Sequence, residues 1–182
     1  MPADRFPPIE TERLRLRRFR AQDAAAFAAY RAHPDVARFQ GWEAGYPLDA
    51  AQRFVKEMAH ARPGVPGGWF QIAIADRDSN GLVGDCVVHV LAGDPSTAEI
   101  GYTMAVEHQG HGYATEAMRA LLVYVFWTLD VRTVRAITDA RNAPSIRLAE
   151  RLGMSRVDTV DTTFKGESCV EYTYELTRPR PR

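Results

Sequence analysis

The six residues Gln109-Gly110-His111-Gly112-Tyr113-Ala114 constrain this chain more than any other feature. Residues 98–106, just before them, read as a strand. After them, Ala117, Met118, Leu121, Leu122, Val125, Phe126 and Leu129 repeat as one buried stripe of a helix. The expected local order is strand, tight turn, helix. Two glycines let the backbone curl and admit a close neighbour. The first turn of a helix leaves its amides unpaired and carries partial positive charge. The segment is either a plain connection or an anion site for a phosphate or pyrophosphate, with the Thr115 hydroxyl in the same turn. It lacks both the Gly-Lys-Ser/Thr of a P-loop and the G-x-G-x-x-G spacing of a dinucleotide fingerprint.

The rest of the chain supplies a sheet and its cover. Residues 13–18 read as a half-exposed strand, with Leu14 and Leu16 alternating with Arg15 and Arg17. A helix over 22–32 is stopped by His33-Pro34. A loop carries the aromatics Phe39, Trp42 and Tyr46, and Asp49 then reads as the N-cap of a helix running to about residue 62. Strands follow over 69–75, 82–91, 133–138, 155–162 and 168–177, the last two joined by a turn at Lys165-Gly166. A short helix over 142–152 ends at Gly153. This is a mixed α/β layer with helices against a sheet. Residues 1–182 form one domain, and the tail, 178–182, has nothing to pack against.

Composition matters mainly for what it excludes. Lys+Arg and Asp+Glu balance at 23 each, so no bulk attraction draws the protein to nucleic acid or to an anionic membrane. The most apolar run, residues 120–129, is only half of the roughly 20 residues a membrane span requires. Cys86 and Cys169 are too few for a disulfide framework or a zinc site, and His108 and His111 have no spaced partner ligands, so no metal is expected. The location expected from these features is cytoplasmic.

A second segment narrows the function. Asn142-Ala143-Pro144-Ser145 opens a short helix that closes on Leu152-Gly153-Met154. With the glycine turn upstream, this order resembles the GNAT acetyltransferases. Thr11-Glu12-Arg13-Leu14-Arg15-Leu16-Arg17, Ala98-Glu99-Ile100-Gly101-Tyr102 and Gly110-His111-Gly112-Tyr113-Ala114-Thr115-Glu116-Ala117 resemble the RimJ/RimL branch. The resemblance implies the GNAT fold: α/β (α+β), with a mixed, mostly antiparallel central sheet of about seven strands, splayed in the middle and flanked by about four helices.

It also implies acetyl-CoA as co-substrate. The pyrophosphate would lie on the amides of Gln109, Gly110, His111, Gly112, Tyr113, Ala114 and Thr115, and the pantetheine arm along Met104, Ala105 and Val106 like an added strand. An amine can attack the thioester directly once both are held together. A free amide near Met104 would stabilise the oxyanion. Many family members place a Tyr in the last helix to protonate the departing thiolate. Here that position is Ala149, and the role passes to Ser145 by the RimJ/RimL pattern; Ser145 is otherwise a helix cap, and Asn142 either a cap or a CoA contact. Glu99 is the first candidate base, or else a solvated strand residue, with Glu171 and His89 behind it. Glu116 serves the helix dipole.

For the acceptor, the resemblance points to a pocket at Phe39, Trp42 and Tyr46, and to a peptide N-terminal amine. A small amine, a longer acyl-CoA donor, and a non-catalytic CoA-binding sensor remain open. The C-terminal hairpin could serve a homodimer.

Overall fold

The structure, a computed structural model, describes residues 6–179. Its strands are β1 (Ile9–Glu10), β2 (Leu14–Arg17), β3 (Trp69–Asp76), β4 (Leu82–Val90), β5 (Thr97–Met104), β6 (Thr133–Asp139), β7 (Ser155–Phe164) and β8 (Glu167–Thr177). Its helices are α1 (Ala24–Ala32), α2 (Pro34–Ala37), α3 (Leu48–His60), α4 (Tyr113–Trp127) and α5 (Ala143–Arg151). The strands form one sheet in the order β1-β2-β3-β4-β5-β6-β8-β7. Every neighbouring pair is antiparallel except β5 with β6.

That parallel contact is short. It pairs Thr97, Ala98 and Glu99 with Thr133, Val134 and Arg135, and the strands then separate. On its other side β5 stays paired with β4 in constant register from Ala98 to Met104. The splay therefore comes from β6 turning away, with no bulge in β5. Backbone alternation settles what the gap exposes. Leu91 N bonds Thr97 O and Ala105 N bonds Val83 O, so odd-numbered β5 residues turn their peptide groups to β4. Ile100, Tyr102 and Met104 turn theirs into the splay.

Helices cover both faces. α1, α2 and α3 pack Phe27, Tyr30, Val36, Ala51, Val55 and Met58 on one face. The α4 stripe packs Met118, Leu121 and Val125 on the other, among Leu16, Ile72, Val88 and Val134. Each such fully buried side chain stabilises the fold by about 1.5–3 kcal/mol.

Several expectations are revised. The expected mixed, mostly antiparallel sheet is present; among the described residues it has eight strands beside five α-helices, and the extra strand, β1, spans two residues and carries no readable alternation. Pro34 does stop α1, but it also opens α2, where its missing N–H falls among amides that lack partners anyway. Pro47 is the N-cap of α3, and Asp49 instead pairs with Arg53 one turn on, at 2.6 Å. Arg17 is buried rather than half-exposed: Asp23 binds its guanidinium at 2.7 and 2.9 Å, and Asn80 and the Arg18 carbonyl take its other donors. A fully satisfied guanidinium can sit inside where a lone one could not. At the C-terminus, Arg178 is held by Phe126 O at 2.9 Å and Asp130 at 2.5 Å; residues 180–182 of the expected loose tail lie outside the described residues.

Candidate active site

The glycine turn forms the floor of a groove. Gly110 and Gly112 have φ of +78° and +81°, the left-handed region that favours glycine, and Gly112 is the N-cap of α4. Within the helix the first amide to find a partner is Glu116 N, on Gly112 O at 3.1 Å. The preceding amides, from Gly110 to Thr115, have no protein acceptor among the described residues. Gln109 donates to Met104 O at 3.1 Å and fastens the turn to the end of β5.

A clamp from the connection between β1 and β2 holds the turn in place. Thr11 Oγ1 and Arg13 N donate to one Glu116 oxygen at 2.6 and 2.8 Å, and Arg13 Nε to the other at 2.7 Å. Arg13 also reaches His111 O at 3.0 Å and lies over the Tyr113 ring. Burial pushes the Glu116 carboxyl up, but the bonds from Thr11 and Arg13 outweigh that and hold it below the ordinary carboxylate range. Glu116 therefore positions the turn as well as sitting at the positive end of the helix.

The groove, about 290 Å³, runs from this turn past His108 and Arg151 to Asn142, Ser145 and Tyr102. There it meets a chamber of about 160 Å³ inside the splay. Phe39, Gln40, Tyr102, Asn142, Ser145 and Leu148 line both. Asn142 caps α5, its side-chain oxygen accepting from Ser145 N at 3.3 Å. That places the Ser145 hydroxyl 3.2 Å from the Tyr102 hydroxyl at the junction of the two spaces. Burial pushes the Tyr102 phenol above its ordinary value, so it stays protonated at neutral pH.

The expected site residues divide clearly. Met104, Gln109, Gly110, Gly112, Tyr113, Ala114, Thr115, Asn142 and Ser145 line the groove. His111, Ala105 and Val106 do not: Ala105 is buried on the opposite face, and Val106 starts a single turn beyond the strand. Glu99 lines neither space. It lies across from His89 and beside Arg135, one strand step before the splay opens. Two carboxylates line the chamber, Asp139 of β6, which is paired with Arg141 at 2.7 Å, and Glu171 of β8.

Of the three loop aromatics, only Phe39 reaches the chamber. Trp42 and Tyr46 turn inward to the Arg31 guanidinium, whose carbon lies 3.8 and 5.5 Å from their ring centres. Trp42 Nε1 also donates to Arg31 O at 3.1 Å. Arg31 in turn pairs with Asp85, which Tyr30 and Gln71 also bond. A buried cation attracts ring faces, and these two rings are consumed in enclosing it. Lys165, at the tip of the β7–β8 hairpin, donates to Ala37 O at 2.9 Å and Trp42 O at 2.5 Å, tying the hairpin to the loop over the chamber.

Sequence reasoning missed Tyr102, Gln40 and Arg151. Tyr102 belongs to the Ile100–Met104 alternation and reads as core. Gln40 contacts the site through Tyr102 O, at 3.4 Å.

The arrangement suits an extended, anionic thioester carrier. It offers unpaired amides at one end, the N–H groups of Tyr102 and Met104 along the middle, and two hydroxyls at the far end. Comparison with known proteins agrees. The family model for the acetyltransferase (GNAT) domain matches residues 13–155. The uncharacterized N-acetyltransferase YoaA of Bacillus subtilis (strain 168) is 31% identical over 181 residues, covering 96% of this chain and 99% of that one. A GNAT-family acetyltransferase from Bacillus anthracis superposes with a TM-score of 0.82 at 27% identity, covering 94% and 98% of the two chains. RimL, a ribosomal L7/L12 alpha-N-protein acetyltransferase solved in complex with coenzyme A, shares the fold: its TM-score is 0.80 at 16% identity, with 94% and 98% covered.

Proposed function

The chain belongs to the GNAT acetyltransferase family and is an acetyl-CoA-dependent acyltransferase, and from that premise we propose that it acetylates the N-terminal amine of a polypeptide by direct attack in a ternary complex. The observation that carries this reading is the continuous passage from the glycine-turn groove to the Tyr102–Ser145 junction and on to Glu171.

Bound acetyl-CoA supplies an activated acyl group on a thioester. The amides of Gly110 to Thr115, with Arg151 at the rim, bind its phosphates. The N–H groups of Tyr102 and Met104 that face the splay bond the pantetheine arm, and one of them polarises the acyl carbonyl. The hydroxyl pair of Tyr102 and Ser145 hands a proton to the departing thiolate, a role for which a protonated phenol is suited. Glu171, in place of Glu99, draws in the protonated amine and takes its proton.

A polypeptide acceptor suits the open recess of about 440 Å³ outside the chamber, where Asp35, Glu43 and Glu167 alternate with Arg38, Arg141 and Lys165. Mixed charge there favours a polar chain over a simple polycation. RimL, of the same fold, is named for action on such an acceptor.

The test has two stages. Calorimetry with acetyl-CoA should give saturable binding. CoA release should then be followed over peptides whose N-termini are free or blocked. Turnover on free N-termini alone is the expected result. Turnover only on small amines or lysine side chains would overturn the acceptor assignment, and binding without turnover on any amine would make the protein a CoA-binding module.

A further inference from the structure

We propose that the inner chamber accepts acyl chains longer than acetyl, so that propionyl-CoA and butyryl-CoA are donors preferred over acetyl-CoA. This rests on the groove being the CoA site.

The chamber's walls differ. Toward α4 and α5 it is apolar and dry: Ile100, Met118, Leu148, Ala149, Met154 and Tyr174 are all at least nine-tenths buried. Toward the hairpin and α2 it is polar, with Gln40, Asp139 and Glu171. The Tyr102–Ser145 junction stands between groove and chamber, so a group carried on the CoA sulfur at that point extends into the chamber and meets both walls. The polar wall suits the incoming amine. The apolar wall has no use for an amine and suits a hydrocarbon tail.

Size points the same way. The chamber holds about 160 Å³. A volume of about 150 Å³ takes a benzene-sized molecule. With the amine on the polar side, the methyl of an acetyl group still leaves apolar wall uncovered. Ala149 of α5 contributes only a methyl to this lining. Unfilled apolar space forfeits dispersion contacts that added methylenes would recover. The chemistry is unchanged. The amine nitrogen forms the amide bond to the acyl carbon, the C–S bond breaks, and the proton lost by nitrogen leaves on the CoA thiol.

The experiment is a calorimetric series on the whole protein with CoA, acetyl-, propionyl-, butyryl- and octanoyl-CoA, which needs no acceptor. Affinity should rise about three- to fourfold per methylene from acetyl to butyryl, the burial free energy of a methylene, and level off by octanoyl, whose tail runs past the apolar wall. Ala149→Phe should erase the butyryl-over-acetyl ratio, and Ala136→Leu, filling the chamber from β6, should do the same where the first variant does not fold. A flat or falling series from acetyl to butyryl, with CoA itself bound, overturns the inference and leaves the acetyltransferase reading intact. A continued rise to octanoyl, or a ratio untouched in a folded variant, also overturns it by placing the tail elsewhere. If CoA fails to bind the folded protein, both readings fall together.

Discussion

Replacing Gly112 with alanine tests the geometry of the glycine turn quantitatively. Gly112 has φ +81° and ψ 0° at the N-cap of α4. An L-residue forced into that region loses about 1–2 kcal/mol. The new methyl adds no clash, since its nearest neighbour is Arg13 Nη2 at 3.5 Å, ordinary van der Waals contact. Alanine also stiffens the unfolded chain, which offsets about 0.4–1 kcal/mol. The net loss is about 1 kcal/mol, or about 2–4 °C in Tm for a chain of this size. Gly110→Ala is the matched comparison: its φ is +78° and no atom lies within 4 Å of the added methyl, so it should melt lower by a similar amount. Asparagine tolerates the left-handed region better than alanine, so Gly112→Asn should fall between glycine and alanine. Melts with acetyl-CoA at a hundredfold excess over Kd add about 2.7 kcal/mol, roughly 5–11 °C. Gly112→Ala should keep that increment, because its methyl points toward Arg13. An alanine variant melting with the wild type, or an asparagine variant melting below alanine, would refute the turn geometry.

Three further outcomes are expected. The Glu116 carboxyl titrates below its ordinary value when folded, so its contribution is full above the unfolded pKa of about 4.3 and disappears as pH falls through the lowered value; urea melts of wild type and Glu116→Gln should differ at pH 7 and converge in acid. Asp23→Ala strands the buried Arg17 guanidinium and should cost about 3–5 kcal/mol by chemical denaturation, while breaking the exposed Asp49–Arg53 pair should leave the denaturation midpoint in place. Tyr102→Phe should lower kcat about a hundredfold with little change in acetyl-CoA affinity, and an unchanged kcat would remove the phenol from the proton path.

Local chemistry made much of this molecule legible in advance. The glycine turn, the α4 stripe, the Asn142 cap and the Lys165-Gly166 hairpin turn all depend on residues within a few positions of one another. The structure keeps each of them, with Lys165 and Gly166 at positive φ as a tight hairpin requires. What stayed hidden depends on partners far along the chain. Arg17 reads as exposed until Asp23 and Asn80 converge on it. Trp42 and Tyr46 read as a substrate pocket until Arg31 claims their faces. Tyr102 looks like one more core residue of an alternating strand, because only the departure of β6 turns that stretch into the wall of an opening. Sequence puts Glu99 ahead of Glu171 because it precedes the pantetheine strand, and only their distance from the splay favours Glu171.

The Lys165 strap has a consequence for how such a protein can change over time. The parts that grip the carrier come mostly from one continuous stretch, from β5 through the start of α5. The outer mouth is assembled from two remote pieces, the segment after α1 and the tip of the C-terminal hairpin, joined there by Lys165 to the Ala37 and Trp42 carbonyls. Altering the hairpin's length or its tip would reshape the mouth while leaving the glycine turn and the Asn142 cap in place. Lineages sharing this scaffold are thus free to exchange acceptors while inheriting the same donor machinery, and selection on the two ends can proceed almost independently.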